Sequence, residues 1–310
     1  MKAPPLSDLL PPPGTRARLQ RALLLLLAAS AILTRPPSTL LAQSTLLETY
    51  DLSREEGTEL LLPRALEEIS GLAMTPDGRL FAHDDERAVF YQLDMETGGI
   101  LKAFSAGIGG IAGDFEGIAV AGDRFYLSNS MGEILETVEG RPSSAMDFRL
   151  HRTGLGSRCE LEGLAYDPQA NTLLLPCKEP REKKLDGHIV VFSVALSSMR
   201  PLSVPRIFIP LGDLEALRLK DEFYPSGIEI HPETGKILLI SAREEAILET
   251  SYQGSLLDGR KLRRRVHPQP EGITFAPDGS LLLADEGQRG RARLTRYPPG
   301  KKMHEGGSLP

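Results

Sequence analysis

From about residue 66 to residue 297 the apolar positions come in short runs, such as Leu80-Phe81-Ala82 and Leu281-Leu282-Leu283, with polar clusters between them. Runs this short predict strands. Runs that lack strict polar alternation predict strands buried on both faces. The clusters between them are turn formers: Pro76-Asp77-Gly78, Ala121-Gly122-Asp123, Asp167-Pro168-Gln169, Pro232-Glu233-Thr234-Gly235 and Pro277-Asp278-Gly279. Pro, Asp and Gly are the residues that tight hairpins require.

The runs recur as one unit. Five segments share a polar residue, then Ser or Glu two places on, then Gly and an aliphatic residue. They are Glu68-Ile69-Ser70-Gly71-Leu72, Asp114-Phe115-Glu116-Gly117-Ile118, Glu160-Leu161-Glu162-Gly163-Leu164, Tyr224-Pro225-Ser226-Gly227-Ile228 and Gln269-Pro270-Glu271-Gly272-Ile273. Their third positions, 70, 116, 162, 226 and 271, are spaced by 46, 46, 64 and 45 residues. Strand-rich repeats of about 40–50 residues predict a β-propeller. Each unit supplies about four antiparallel strands, and stacking around an axis buries faces that one sheet would expose. The fold class is therefore all-β, a five-bladed propeller of four-stranded antiparallel blades closed by an N-terminal strand. The last unit holds only three strands, Glu271–Ala276, Ser280–Ala284 and Arg291–Arg296, so Leu46–Leu52 is expected to complete it. The long spacing before the fourth unit predicts an extra loop or short helix over Leu211–Phe223. The run Ala106–Gly113 reads as a link between blades and not as a phosphate cradle, because no strand-loop-helix context surrounds it.

The first 42 residues differ from the rest. Arg16, Arg18 and Arg21 precede the apolar run Ala22–Leu33, and small residues follow near Leu41-Ala42-Gln43. That order describes a secretory signal, and the run is short for a bilayer span. Residues 1–42 are thus expected to be a signal peptide, with an uncleaved inner-membrane anchor as the alternative. Residues 43–300 form the propeller, and 301–310 a disordered tail. Export places the protein in the periplasm or cell envelope. The leader holds five basic residues and one acidic, so its loss takes the formal charge from −6 to −10. An acidic surface argues against nucleic acid as a partner. The basic cluster at 260–265 reads as a solvated outer strand. The absence of Trp argues against a stacking platform for sugars or bases.

Equivalent positions in a propeller converge on its axis. Glu116, Glu162 and Glu271 occupy one such position, and Asp114 and Glu160 stand two residues earlier, on the same strand face if alternation holds. Carboxylates at close range repel unless a cation sits among them, and calcium takes six to eight oxygen ligands. One calcium ion near the central channel is therefore expected, held by Glu116, Glu162, Glu271 and Asp114. The alternative is a salt-bridge network with Lys178 and Arg243. The second strands end in polar residues, which predicts a ligand-binding rim of Ser70, Asp84, Asp85, Asn129, Lys178, Ser226, Ser241 and Asp285. The two cysteines flank the turn at Asp167–Asn171 symmetrically. Pairing across that hairpin puts Cys159 opposite Cys177 and predicts a disulfide, while a register shift of one residue would leave two buried thiols.

Together these segments resemble the SdiA-regulated family of bacterial envelope proteins, distant relatives of the NHL-repeat propellers. The resemblance runs from about Leu66 to Tyr297. Besides the five motifs it includes Lys178-Glu179, Leu238-Leu239-Ile240-Ser241 and Ala246-Ile247-Leu248-Glu249. It implies a five-bladed propeller with a bound calcium ion and no established activity. Tyr224 departs from the family pattern, which often has Asp there. The expected function is a calcium-binding envelope propeller that recognises a small ligand or an envelope protein. The alternatives are a metal-dependent hydrolase of lactonase or esterase-like phytase type, and a purely structural scaffold. A hydrolase needs a base beside the metal, for which His83 is the candidate. The chain carries no Gly-x-Ser-x-Gly, His-Glu-x-x-His or Gly-Lys-Ser/Thr motif.

Overall fold

The computed structural model describes residues 45–52, 57–288 and 290–300. The signal or anchor expected over 1–42 and the tail over 301–310 lie outside the described residues. The chain forms five small antiparallel sheets arranged in a ring, a five-bladed β-propeller.

An early strand, β1 (Thr58–Leu61), precedes the first blade. Blade 1 comprises β2 (Ile69–Met74), β3 (Leu80–Asp84), β4 (Arg87–Leu93) and β5 (Ile100–Ala106). Blade 2 comprises β6 (Phe115–Ala121), β7 (Arg124–Asn129), β8 (Glu133–Val138) and, after the short β9 (Ala145–Met146) on the edge of blade 1, β10 (Phe148–Arg152). In blade 3 the inner strand is broken into β11 (Cys159–Leu161) and β12 (Ala165–Asp167). Both pair with β13 (Thr172–Pro180), which continues into β14 (His188–Ala195), β15 (Arg200–Pro201) and β16 (Ile207–Pro210). Blade 4 comprises β17 (Gly227–Ile230), β18 (Ile237–Ser241), β19 (Ala246–Thr250) and β20 (Leu256–Lys261). Blade 5 begins with β21 (Pro270–Phe275), β22 (Leu281–Asp285) and β23 (Arg293–Tyr297). The long third spacing is filled by β15, β16 and a 3-10 helix over Leu211–Leu217. Residues 107–114 link blade 1 to blade 2.

The hairpins turn where the sequence places Gly. Gly78 and Gly279 adopt φ of +81° and +83°, a conformation that residues with a Cβ rarely take. Among the described residues the buried apolar side chains gather in five clusters, and each cluster is shared by two neighbouring blades. Phe81, Phe90, Phe104 and Phe125, for instance, pack edge-on and stacked between blades 1 and 2. Burial on both faces of each sheet is why the strands read as continuous apolar runs.

The fourth strand of blade 5 is a correction to the sequence reading. Leu46–Leu52 is not a strand; Leu47–Thr49 forms a 3-10 turn. The strand that pairs with β23 is β1, which begins six positions after Leu52, with Leu60 opposite Leu294. The earlier segment has a different task. Leu46, Leu47 and Tyr50 are buried in the cluster between blades 4 and 5. The Leu47 N–H donates to Glu249 Oε2 at 2.9 Å, and the Tyr50 hydroxyl donates to the Gly279 carbonyl at 2.8 Å. A fully buried carboxylate needs such partners.

Candidate functional site

The inner strands touch in ring order, β2, β6, β12, β17, β21 and back to β2. The repeated Gly makes this approach possible. A Cβ on Gly117 would lie 2.5 Å from the backbone of Gly163 and Leu164 in the next blade. Below these glycines Leu72, Ile118, Leu164, Ile228 and Ile273 fill the axis and leave about 10 Å³ of space, scarcely enough for one water. The Ser/Glu position of the repeat stands at the rim above.

That position is lifted out of the strand ladders. In blades 1, 2 and 5 the register slips by one residue between Ile69 and Gly71, between Phe115 and Gly117, and between Pro270 and Gly272. Ser70, Glu116 and Glu271 are thus the extra residues of β-bulges, which re-aim a side chain and locally bend the strand. In blade 3 Glu162 occupies the break between β11 and β12. Four of the five repeats therefore interrupt pairing at the same position.

Glu162 and Glu271 meet there. Both are buried, and each carboxyl lies in the field of the other. Burial, then repulsion from Glu162, raises the Glu271 carboxyl well above its ordinary range. Burial also raises Glu162, against the pull of Lys178, whose ammonium is ion-paired with Glu162 Oε2. Burial works against the Lys178 charge, but Glu162, Glu116 and Glu271 outweigh it and hold that charge in place. Burial, followed by the charges of Glu162 and Asp114, pushes Glu116 up to about 8. Gln269 ties this group to the next: its amide donates to Glu271 Oε1 at 3.0 Å and to Glu286 Oε2 at 2.8 Å.

A second carboxylate group flanks the first, on blade 1. Oxygens of Glu68, Asp84 and Asp85 all lie within 4.8 Å of one another. Asp85 Oδ1 is buried without a hydrogen-bond partner. Burial, then the charges of Glu68, Asp84 and Glu286, pushes Asp85 up to about 6. Both groups offer hard oxygen donors, crowded and under-neutralised, and so fit a hard cation such as calcium.

Other expected site residues sit elsewhere. Asp114 is exposed and its Oδ2 accepts the Ser130 hydroxyl at 2.8 Å. The bulge at Glu116 cancels the two-residue alternation that put both on one face. Arg243 does not reach the axial glutamates; it pairs with Glu179 at 3.0 Å and stacks on Tyr224. Ser226, Ser241 and Asp285 are buried and committed to the framework, so they do not form an open rim. The Ser226 hydroxyl donates to the Pro270 carbonyl at 2.6 Å, and Ser241 donates to Glu244 at 2.6 Å. Asp285 is held by His267 Nδ1 at 2.7 Å, and His267 Nε2 by Tyr297 at 2.7 Å. Ser70 is buried beside the channel, and Asn129 accepts the Met131 and Glu133 N–H groups of its own turn. His83 is fully buried against Gly71, and burial lowers its pKa to about 4. Cys159 and Cys177 are disulfide-bonded, with Cα atoms 5.6 Å apart. They are not directly opposite: Leu161 faces Cys177, Cys159 faces Pro180, and a register shift after Glu160 separates the two pairs.

Sequence reasoning overlooked Glu68 and Gln269 as candidate site residues, while Glu286 was expected at the rim as a strand-end residue beside Asp285. Glu68 and Gln269 were marked nonetheless, because they are the polar first position of their own repeat units.

The fold, with its carboxylate-lined rim, is that of a five-bladed β-propeller module. The chain matches the SdiA-regulated family over residues 43–289 and belongs to it. No curated protein matches it in sequence. Among solved structures it is similar to the glutaminyl cyclase of Myxococcus xanthus, with 16% identity, 77% of this chain and 93% of that one covered, and a TM-score of 0.53. A luciferin-regenerating enzyme matches with 14% identity, 79% and 97% coverage, and a TM-score of 0.49. At such identity the first likeness concerns the fold alone.

Proposed function

We propose that this protein is an exported calcium-binding propeller of the cell envelope, which recognises a small ligand or a partner protein on its carboxylate rim. The observation that carries this reading is that the half-buried Glu116 and the buried Glu162 and Glu271, from three blades, all act on the one ammonium of Lys178. A divalent ion there relieves the repulsion and desolvation that otherwise force carboxyls to keep protons. Glu116, Glu162 and Glu271 would hold it. Bound calcium would supply a fixed positive charge and open coordination positions for a ligand oxygen. The plugged channel supports recognition from above the rim. Export rests on the leader of residues 1–42 and accords with a disulfide in the folded chain. Among the described residues no helix is long and apolar enough to cross a membrane. His83 gives the hydrolase reading no support, since a buried neutral ring against Gly71 reaches no substrate.

Thermal unfolding with and without calcium tests the proposal. Calcium should raise the Tm in a concentration-dependent way, and Glu116→Gln with Glu162→Gln should abolish the rise. Loss of the rise in Asp84→Asn with Asp85→Asn instead would move the ion to the blade 1 group. No rise in the unmodified protein at millimolar calcium would refute calcium binding.

A further inference from the structure

The axial carboxylates already have a cation. Lys178 follows Cys177 near the end of β13, and its ammonium lies on Glu162, inside the field of Glu116 and Glu271. Its position is awkward for a surface lysine: it reaches inward over a carboxylate whose side chain is 4% exposed. Its own side chain keeps 30% exposure, so a path outward to water is open. The charges around it are otherwise engaged. Glu160 pairs with Arg181 and Glu179 with Arg243, so neither neighbour competes for the ammonium. The disulfide at Cys177 anchors the backbone from which the side chain swings.

We infer that Lys178 is a tethered cation that fills the axial carboxylate ring without metal and must leave when a divalent ion enters. This rests on the calcium reading above and adds its regulation. An ammonium and a calcium ion at the same oxygens repel each other, and three glutamates cannot coordinate both within hydrogen-bond reach. Entry of calcium and exposure of the Lys178 ammonium at the rim are then one event. The lysine sets a threshold: the site responds only where calcium is abundant enough to displace it. It also alters what the rim presents to a ligand, from an inward-held ammonium to a bound metal ion with a free lysine beside it.

Two measurements on the full chain test this. Calcium affinity is compared between the unmodified protein, Lys178→Met and Lys178→Gln. Separately, the reactivity of Lys178 toward a water-soluble amine acylating reagent is followed by peptide mass spectrometry, with Lys102, paired to Glu139, as the internal control. Both variants should bind calcium at least tenfold more tightly. Calcium should raise Lys178 labelling several-fold in the unmodified protein, reversed by chelator, and leave Lys102 unchanged. Binding in the variants alone would support the tethered cation and refute calcium occupancy of the unmodified protein. Equal affinity in all three proteins with unchanged labelling would overturn the inference and leave calcium binding standing, at the Glu68, Asp84 and Asp85 group. Binding in none would overturn both.

Discussion

Two carboxyl sites lie along the same inner strands and behave differently. At the rim stand Glu116, Glu162 and Glu271. Three residues further along each inner strand stand Ala73, Ala119, Ala165, Glu229 and Thr274. Glu229 is the one acid in this second set. Its partners are neutral: Thr274 Oγ1 donates to Oε2 at 2.9 Å, and its own chain, through the Ile230 N–H, donates to Oε1 at 2.8 Å. Burial alone pushes it up to about 7, against those two hydrogen bonds. At the rim burial acts together with mutual repulsion and with a lysine. Burial by itself thus makes a protonated acid that the fold can tolerate. Convergence of several acids makes a place that a cation can improve.

The sharpest way to break this comparison is to remove the anchor of the rim. Glu162→Ala leaves Lys178 without its ion-pair partner and should cost about 3 kcal/mol, the low end for a broken buried pair because the lysine is partly exposed. Chemical denaturation measures it. A cost below about 0.5 kcal/mol would mean that Lys178 is already free in solution.

Loss of the disulfide comes next. Cys159→Ser with Cys177→Ser opens an 18-residue separation and should cost about 2–3 kcal/mol. It should also loosen Lys178, and so raise its reactivity, while the titration of Glu229 stays as it was. Equal disturbance of both sites would show that the disulfide supports the whole ring and not the rim.

The smallest effect sharpens the Glu229 side. A carboxyl whose folded pKa stands above its unfolded value binds more protons in the native state. Its contribution is therefore present below the unfolded pKa, near 4.5, and is lost as pH rises through about 7. Glu229→Gln should remove this decline and stabilise the protein at pH 8 by on the order of 1–2 kcal/mol, discounted for residual solvent contact. Stability curves from pH 4 to pH 8 that run parallel for the two proteins would show that the half-buried Glu229 is solvated well enough to ionise as freely in the folded chain as in the unfolded one.

The sequence by itself determined the blade count, the hairpin turns and the acidic position of the repeat, because these depend on local periodicity and on residues with special backbone freedom. Gly78, Gly279 and the five axial glycines could be read directly. Only the tertiary structure decided what depends on register. The bulges at Ser70, Glu116 and Glu271 have no local signature, and each shifts the alternation on which a face assignment rests; Asp114 fell outside the axial group for that reason. A separate slip, in which Lys178 is the extra residue on β13, set Cys159 opposite Pro180 and not Cys177, although the two sulfurs still bond. Two N-terminal segments are apolar enough to be strands. Thr58–Leu61 pairs with β23, while Leu46–Leu52 covers the buried Glu249, a partner some 200 residues away that no local pattern could indicate. Lys178 belonged equally well to the rim or to the axis by its place at a strand end. Its ion pair with Glu162 depends on how two strands of blade 3 lie across a broken inner edge, and that is a property of the folded ring alone.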